Sequence, residues 1–165
     1  MEVRVKRIAA PVAFAAFAVS SIVACSSDST QSTVVTPGPG DGTVEQACVD
    51  KINAFRATLN LAPLARWTDQ EACSDGEAKS DSETGKAHGA FGTCTEMAQN
   101  ECPGWPGPPA SMIGGCLQMM WDEGPGTDFS KHGHYINMSS TKYTKVACGF
   151  YTMPSGKVWS VQNFR

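Results

Sequence analysis

Beyond an apolar leader, six cysteines are spread along the chain: Cys48, Cys73, Cys94, Cys102, Cys116 and Cys148. No two of them form a C-x-x-C pair. Closely spaced pairs are what thiolate zinc sites need, and exported compartments keep thiols oxidised. An even set of this kind therefore reads as a disulfide framework. It constrains the fold more than any other feature, because a crosslinked domain can be stable with a modest core. The short spacing of Cys94 and Cys102 makes them one candidate pair; the rest of the pairing stays open.

The leader supports the same reading. Arg4, Lys6 and Arg7 precede an apolar run over 8–24, broken by Pro11 and by Ser20-Ser21. The run falls short of the roughly 20 residues of a membrane span and closes on a cysteine. Ile22-Val23-Ala24-Cys25 resembles the lipobox of bacterial lipoproteins, in which the cysteine becomes the acylated first residue. By that resemblance 1–24 is a lipoprotein signal peptide and Cys25 carries lipid. Ser26 and Ser27, with no aspartate directly after the cysteine, favour the outer membrane or cell surface. Residues 25–43 are too poor in apolar side chains to offset the entropy of ordering and read as a flexible tether. The whole chain carries a net charge of −3. Loss of the basic leader makes it more acidic still, which argues against nucleic acid as a partner. Residues 44–165 suffice for one domain with one core.

Within that domain, 44–60 predicts a helix. Cys48, Ile52, Phe55 and Leu59 recur at steps of four, three and four, while Asp50, Lys51, Asn53 and Arg56 fall mostly outside that stripe. Thr43 is placed to cap it, and Pro63 leaves 61–64 as an extended connector. Thr68-Asp69-Gln70-Glu71 has capping-box spacing. The weakly apolar helix behind it, to about residue 82, should cover the sheet at its edge. Residues 85–105 show no period, and 103–109 reads as a Pro/Gly loop. A third helix is expected over 111–123, with Ile113, Leu117 and Met120 on one stripe and Gly124-Pro125-Gly126 as its stop. Residues 146–151 and 157–161 read as strands of an antiparallel hairpin turning at Pro154-Ser155-Gly156. The fold class is α+β in layers.

Chemistry-bearing residues gather in three places. Asp122-Glu123 ends the third helix, His132-Gly133-His134-Tyr135 follows a loop, and His88 precedes Glu96, Gln99 and Glu101. Histidines and carboxylates meeting from distant segments can bind a divalent metal or relay protons. On a strand, His132 and His134 would face one side and could contact one ion; otherwise His132 reads as an exposed loop residue. The hydroxyls of Thr93, Thr95, Ser139 and Ser140 lie in no nucleophile motif.

In order, these pieces resemble the CAP superfamily of cysteine-rich secretory proteins, antigen-five proteins and pathogenesis-related group-one proteins. The matching motifs are Asn53-Ala54-Phe55-Arg56 with Ala62-Pro63-Leu64-Ala65-Arg66-Trp67, the lone His88, and Asp122-Glu123 at a helix end. Gly133-His134-Tyr135, Val146-Ala147-Cys148-Gly149 and Val161-Gln162-Asn163-Phe164 complete the set. The resemblance covers 44–165 and implies an α-β-α sandwich with a mostly antiparallel central sheet and a central cleft. It implies that His88, Glu123 and His134 line that cleft. For the fourth position Glu96 and Gln99 rank together ahead of Glu101; Gln99-Asn100 stands where family members carry Glu-Asn. Met120 occupies the place of the family's tryptophan, and Trp121 follows it.

Three functions follow from the resemblance. One is an extracytoplasmic binding module for a small ligand, a lipid or a divalent metal such as zinc, with His88 and His134 as metal ligands. The second is a metal-dependent, peptidase-like hydrolase in the same cleft, and the third a structural envelope lipoprotein.

Overall fold

A computed structural model describes residues 43–165. The leader, Cys25 and nearly all of the tether lie outside the described residues. Among the described residues, no helix is long and apolar enough to cross a membrane.

Helix α1 spans Val44–Thr58, and Thr43 Oγ1 accepts the Gln46 N–H at 3.3 Å. Cys48, Val49, Ile52 and Phe55 are buried on its inner face. The helix ends two residues early, at Thr58. Asn60 takes φ 56, the left-handed region that asparagine tolerates after a helix, so Leu59 turns outward and is 42% exposed. Arg56 is buried, contrary to its place outside the stripe. Its guanidinium donates to the carbonyls of Ala62 (2.9 Å), Met138 (2.7 Å) and Ser140 (2.8 Å), which offsets its desolvation. Asn53 pairs with Leu64 as a strand residue would, accepting its N–H at 2.8 Å and donating to its carbonyl at 2.9 Å. The connector then enters β1, Ala65–Arg66.

The capping box does not form. Glu71 is held by the Arg66 fork at 2.5 and 2.9 Å and cannot reach back to Thr68. Thr68–Gln70 winds instead as a short 3-10 turn before α2, Glu71–Thr84. Helix α2 also lies across the middle of the sheet rather than its edge. Gly149 makes this approach possible, since a Cβ there would run into the backbone of Ser74 and Asp75. Gly85, at φ 65, ends the helix.

Strand β2 is longer than the loop expected at 103–109 allows: it covers Ala98–Pro106. It sits at the sheet edge, where prolines need not donate, and its register shifts between Cys102 and Trp105, beside Pro103. Helix α3 covers Pro109–Trp121 and is followed by the left-handed Gly124. Residues 129–139, taken as loop or strand, form a fourth helix, α4, Phe129–Ser139, capped by Asp128. The antiparallel hairpin is present as β3, Lys145–Thr152, and β4, Lys157–Phe164. The four-stranded sheet runs β1-β3-β4-β2, with β1 parallel to β3 and the other pairings antiparallel.

Helices lie on both faces. On one, α1, α3 and α4 pack around Ile52, Phe55, Met112, Leu117, Met120, Met138, Val146 and Phe164. On the other, α2 sets Ala78 against Trp159 and Val161. All six framework cysteines are paired, as Cys48–Cys148, Cys73–Cys94 and Cys102–Cys116. The Cys94–Cys102 pair is thereby overturned: Cys102, on β2, faces α3, while Cys94 lies in the loop after α2.

Candidate functional site

Each expected histidine is held by its own side-chain oxygen, and the neighbouring Gln99 and Asn100 of β2 contact His88 and His134 respectively. Glu123 leaves the end of α3 and meets α4. Its Oε1 lies 2.5 Å from His134 Nδ1, and its Oε2 accepts the N–H groups of His134 (3.0 Å) and Tyr135 (3.3 Å). Trp121, one residue past the expected tryptophan, stacks between Phe55 and Tyr135 at ring distances of 5.0 and 4.6 Å, binding α1, α3 and α4 together beneath this pair. Asn100 Nδ2 donates to the His134 carbonyl at 3.1 Å, and Asn137 holds Asn100 Oδ1 at 2.9 Å.

His88 lies in the loop after α2 with φ 57. Its Nδ1 is 2.8 Å from Gln99 Oε1. The orientation of that amide is set by its other end, where Gln99 Nε2 donates to Glu77 Oε2 (3.1 Å) and to Asn163 Oδ1 (3.0 Å). With both amide protons committed, Gln99 can offer only its oxygen to the ring, so His88 Nδ1 must be the donor. Glu101 Oε2 accepts the His88 backbone N–H and lies 3.7 Å from Nδ1. Burial pushes the Glu101 carboxyl up to about 7; the His88 N–H acts against this, and the charges of Asp81 and Glu77 add to the rise.

Of the three candidates for the fourth position, Gln99 and Glu101 adjoin His88, two residues apart on one face of β2. Glu96 touches neither histidine: it accepts the Gly92 N–H and faces Glu77. His132 is neither a second ligand nor a free loop residue. On a helix, positions two apart diverge, and its Nδ1 binds the Glu123 carbonyl at 2.7 Å, tying α4 to the loop before it.

Both rings therefore spend Nδ1 as a donor, which leaves the Nε2 lone pair of the neutral ring as an acceptor or ligand atom. Nothing hydrogen-bonds to either Nε2 among the described residues, and the side chains of His88 and His134 are 44% and 35% exposed. Among the described residues, a closed tetrahedral site of four protein ligands is not assembled here. Glu123 and Gln99 are committed to the Nδ1 atoms. Among the described residues, no set of three metal-ligating side chains that includes a histidine gathers within 4.8 Å. Among the described residues, the hydroxyls singled out in the sequence do not pair with either imidazole: Ser139 donates to the Tyr135 carbonyl, Thr93 to the Ala90 carbonyl, and Ser140 accepts from Lys142 N–H.

Glu77 and Asp81 went unnoticed in the sequence because a helix with few apolar residues reads as a solvated face. Their spacing of four, in line with the small Ser74 and Ala78, is the signal that this polar face is the buried one.

A comparison with curated proteins returned no match. The family model of the cysteine-rich secretory protein family, CAP, matches residues 49–164. That match runs from α1 to the last strand and takes in the Asn53–Leu64 clasp, both histidine clusters and the β3–β4 hairpin. The chain belongs to the cysteine-rich secretory protein (CAP) family.

Proposed function

We propose that this chain is an extracytoplasmic binding module, anchored to the bacterial outer membrane or cell surface by lipid on Cys25, whose imidazoles at His88 and His134 receive a small polar ligand. The observation that carries the reading is the state of the two rings. Each is fixed through Nδ1 by a buried or half-buried partner and presents an accessible, unpaired Nε2. A lone pair held in place selects an electron-poor partner: an N–H or O–H donor of a small molecule, or a divalent cation that brings its own water ligands. Three disulfides suit an exported domain, and the lipobox-like segment supports the anchor. Among the described residues neither ring hydrogen-bonds a hydroxyl or thiol, so no nucleophile–base pair supports the hydrolase alternative.

The test is calorimetric titration of the purified domain with zinc chloride and with a panel of small hydroxyl and amine donors, on wild type and His134→Ala. The expected result is binding that His134→Ala weakens at least tenfold, with the thermal midpoint changed only slightly. A variant that loses stability while the wild type binds none of the probes would contradict the reading and favour a structural role.

A further inference from the structure

Four acids lie buried between α2, the 85–97 loop and β2: Glu77, Asp81, Glu96 and Glu101 are each at least nine-tenths buried. None is ion-paired with a lysine or arginine among the described residues. Three of them hold the loop by alternate backbone N–H groups: Glu101 takes that of His88, Asp81 that of Ala90 at 2.8 Å, and Glu96 that of Gly92. Yet one oxygen of each acid, including Glu77 Oε1 and Glu96 Oε2, is buried with no donor at all. Such orphans are costly, and a carboxylate pair cannot leave them so with both members ionised.

Carboxylate oxygens of Glu77 and Glu96 lie within 4.8 Å of each other, both on buried side chains. The third nearby ligand-type atom, Cys94 Sγ, is spent in the disulfide with Cys73. Two carboxylates fall well short of the roughly 6–8 oxygens a calcium ion takes. One proton between them satisfies both orphans.

We propose that Glu77 and Glu96 share a proton, and that this pair is a pH-operated clasp holding the 85–97 loop, with His88, onto α2. Glu77 is itself fixed by Asn163 Nδ2 at 2.6 Å and Gln99 Nε2 at 3.1 Å, so repulsion after proton loss falls on Glu96 and the Gly92 N–H it holds. Of the titratable groups around the pair, Glu101 on β2 feels the charges of Glu77 and of Asp81 from α2, and its Oε2 lies 3.7 Å from His88 Nδ1 of the loop. Strand β4 contributes the neutral Asn163, and Arg165 reaches only the outside of the loop, at the Thr95 carbonyl. Burial raises the Glu77 carboxyl from its ordinary range and the Glu96 charge raises it further, against the Asn163 hydrogen bond. The Cys73–Cys94 disulfide limits what can lift to the short stretch between Gly85 and Cys94. The clasp is inferred without regard to what the histidines bind.

The test is hydrogen exchange of loop peptides in the full domain, corrected for intrinsic rate, from pH 5 to pH 8.5. In the wild type, loop protection is expected to fall at least tenfold as pH rises, while β3–β4 peptides stay protected. In a Glu101→Gln background, which removes the carboxyl that holds the His88 N–H, Glu96→Gln, whose amide donates permanently to Glu77, should flatten the remaining profile, and Glu77→Gln should do the same from the other side. Flat protection in the wild type, or a full pH response in both variants, overturns the clasp. So does calcium or magnesium restoring protection at pH 8.5 in a chelator-reversible way, which would assign the pair to a cation.

Discussion

Glu101 is the residue whose charge state the fold perturbs most visibly. Its side chain is wholly buried, and its carboxyl sits at about 7 against an ordinary 4.5. A raised carboxyl holds its proton more tightly folded than unfolded. The stability it supplies is complete below about 4.5 and is lost as pH climbs through about 7. From the size of that shift the change is on the order of 3 kcal/mol. Urea denaturation of wild type should show stability falling across this window, and Glu101→Gln should remove most of the slope; an unchanged slope in the variant would refute the assignment. The order of motifs singled out Glu123, His134 and His88 as candidates, but not what each one touches. Gln99 shows why. Its role depends on Glu77 and Asn163, brought to it from α2 and β4, and no local pattern announces contacts so distant in sequence.

At the scale of elements, the apolar stripe of α1 and the β3–β4 hairpin could be read directly because their periods match what they bury. Helix α2 and helix α4 could not. Helix α2 buries Ser74, Glu77 and Asp81 rather than leucines, and α4 carries Gly133 and three polar residues in its first turns. For α2 the decisive partner is Gly149, a position with no side chain to leave a trace in any pattern. Gly149→Ala should force α2 off the sheet, costing roughly 1–3 kcal/mol as overpacking does. Thermal unfolding checks this; a midpoint equal to wild type would mean that α2 is not seated on β3 as described. Strand β2 was partly hidden by Pro103 and Pro106, which argue against a strand except at an edge with a register shift, the place it occupies.

For the whole molecule, the six cysteines announced a crosslinked domain, and the structure shows how the links divide the work. Cys48–Cys148 joins α1 to the central strand β3 across a separation of 100 residues, whereas Cys102–Cys116 closes a separation of 14. Loop-closure entropy makes the first worth about 4.7 kcal/mol and the second about 3 kcal/mol. Replacing both cysteines of each pair by alanine should therefore lower the urea midpoint more for the long link than for the short one, and the reverse order would show that strain or residual structure dominates. Around this frame the central claim is that His88 and His134 each donate through Nδ1 and keep Nε2 free to bind. Long-range nitrogen–proton correlation spectra of the histidine rings at pH 8, with and without zinc chloride, test it most directly. Both rings are predicted to be Nδ1–H tautomers whose Nε2 resonances move on titration. Nε2–H tautomers, or Nε2 resonances unmoved at saturating zinc and by every small donor tried, would contradict it.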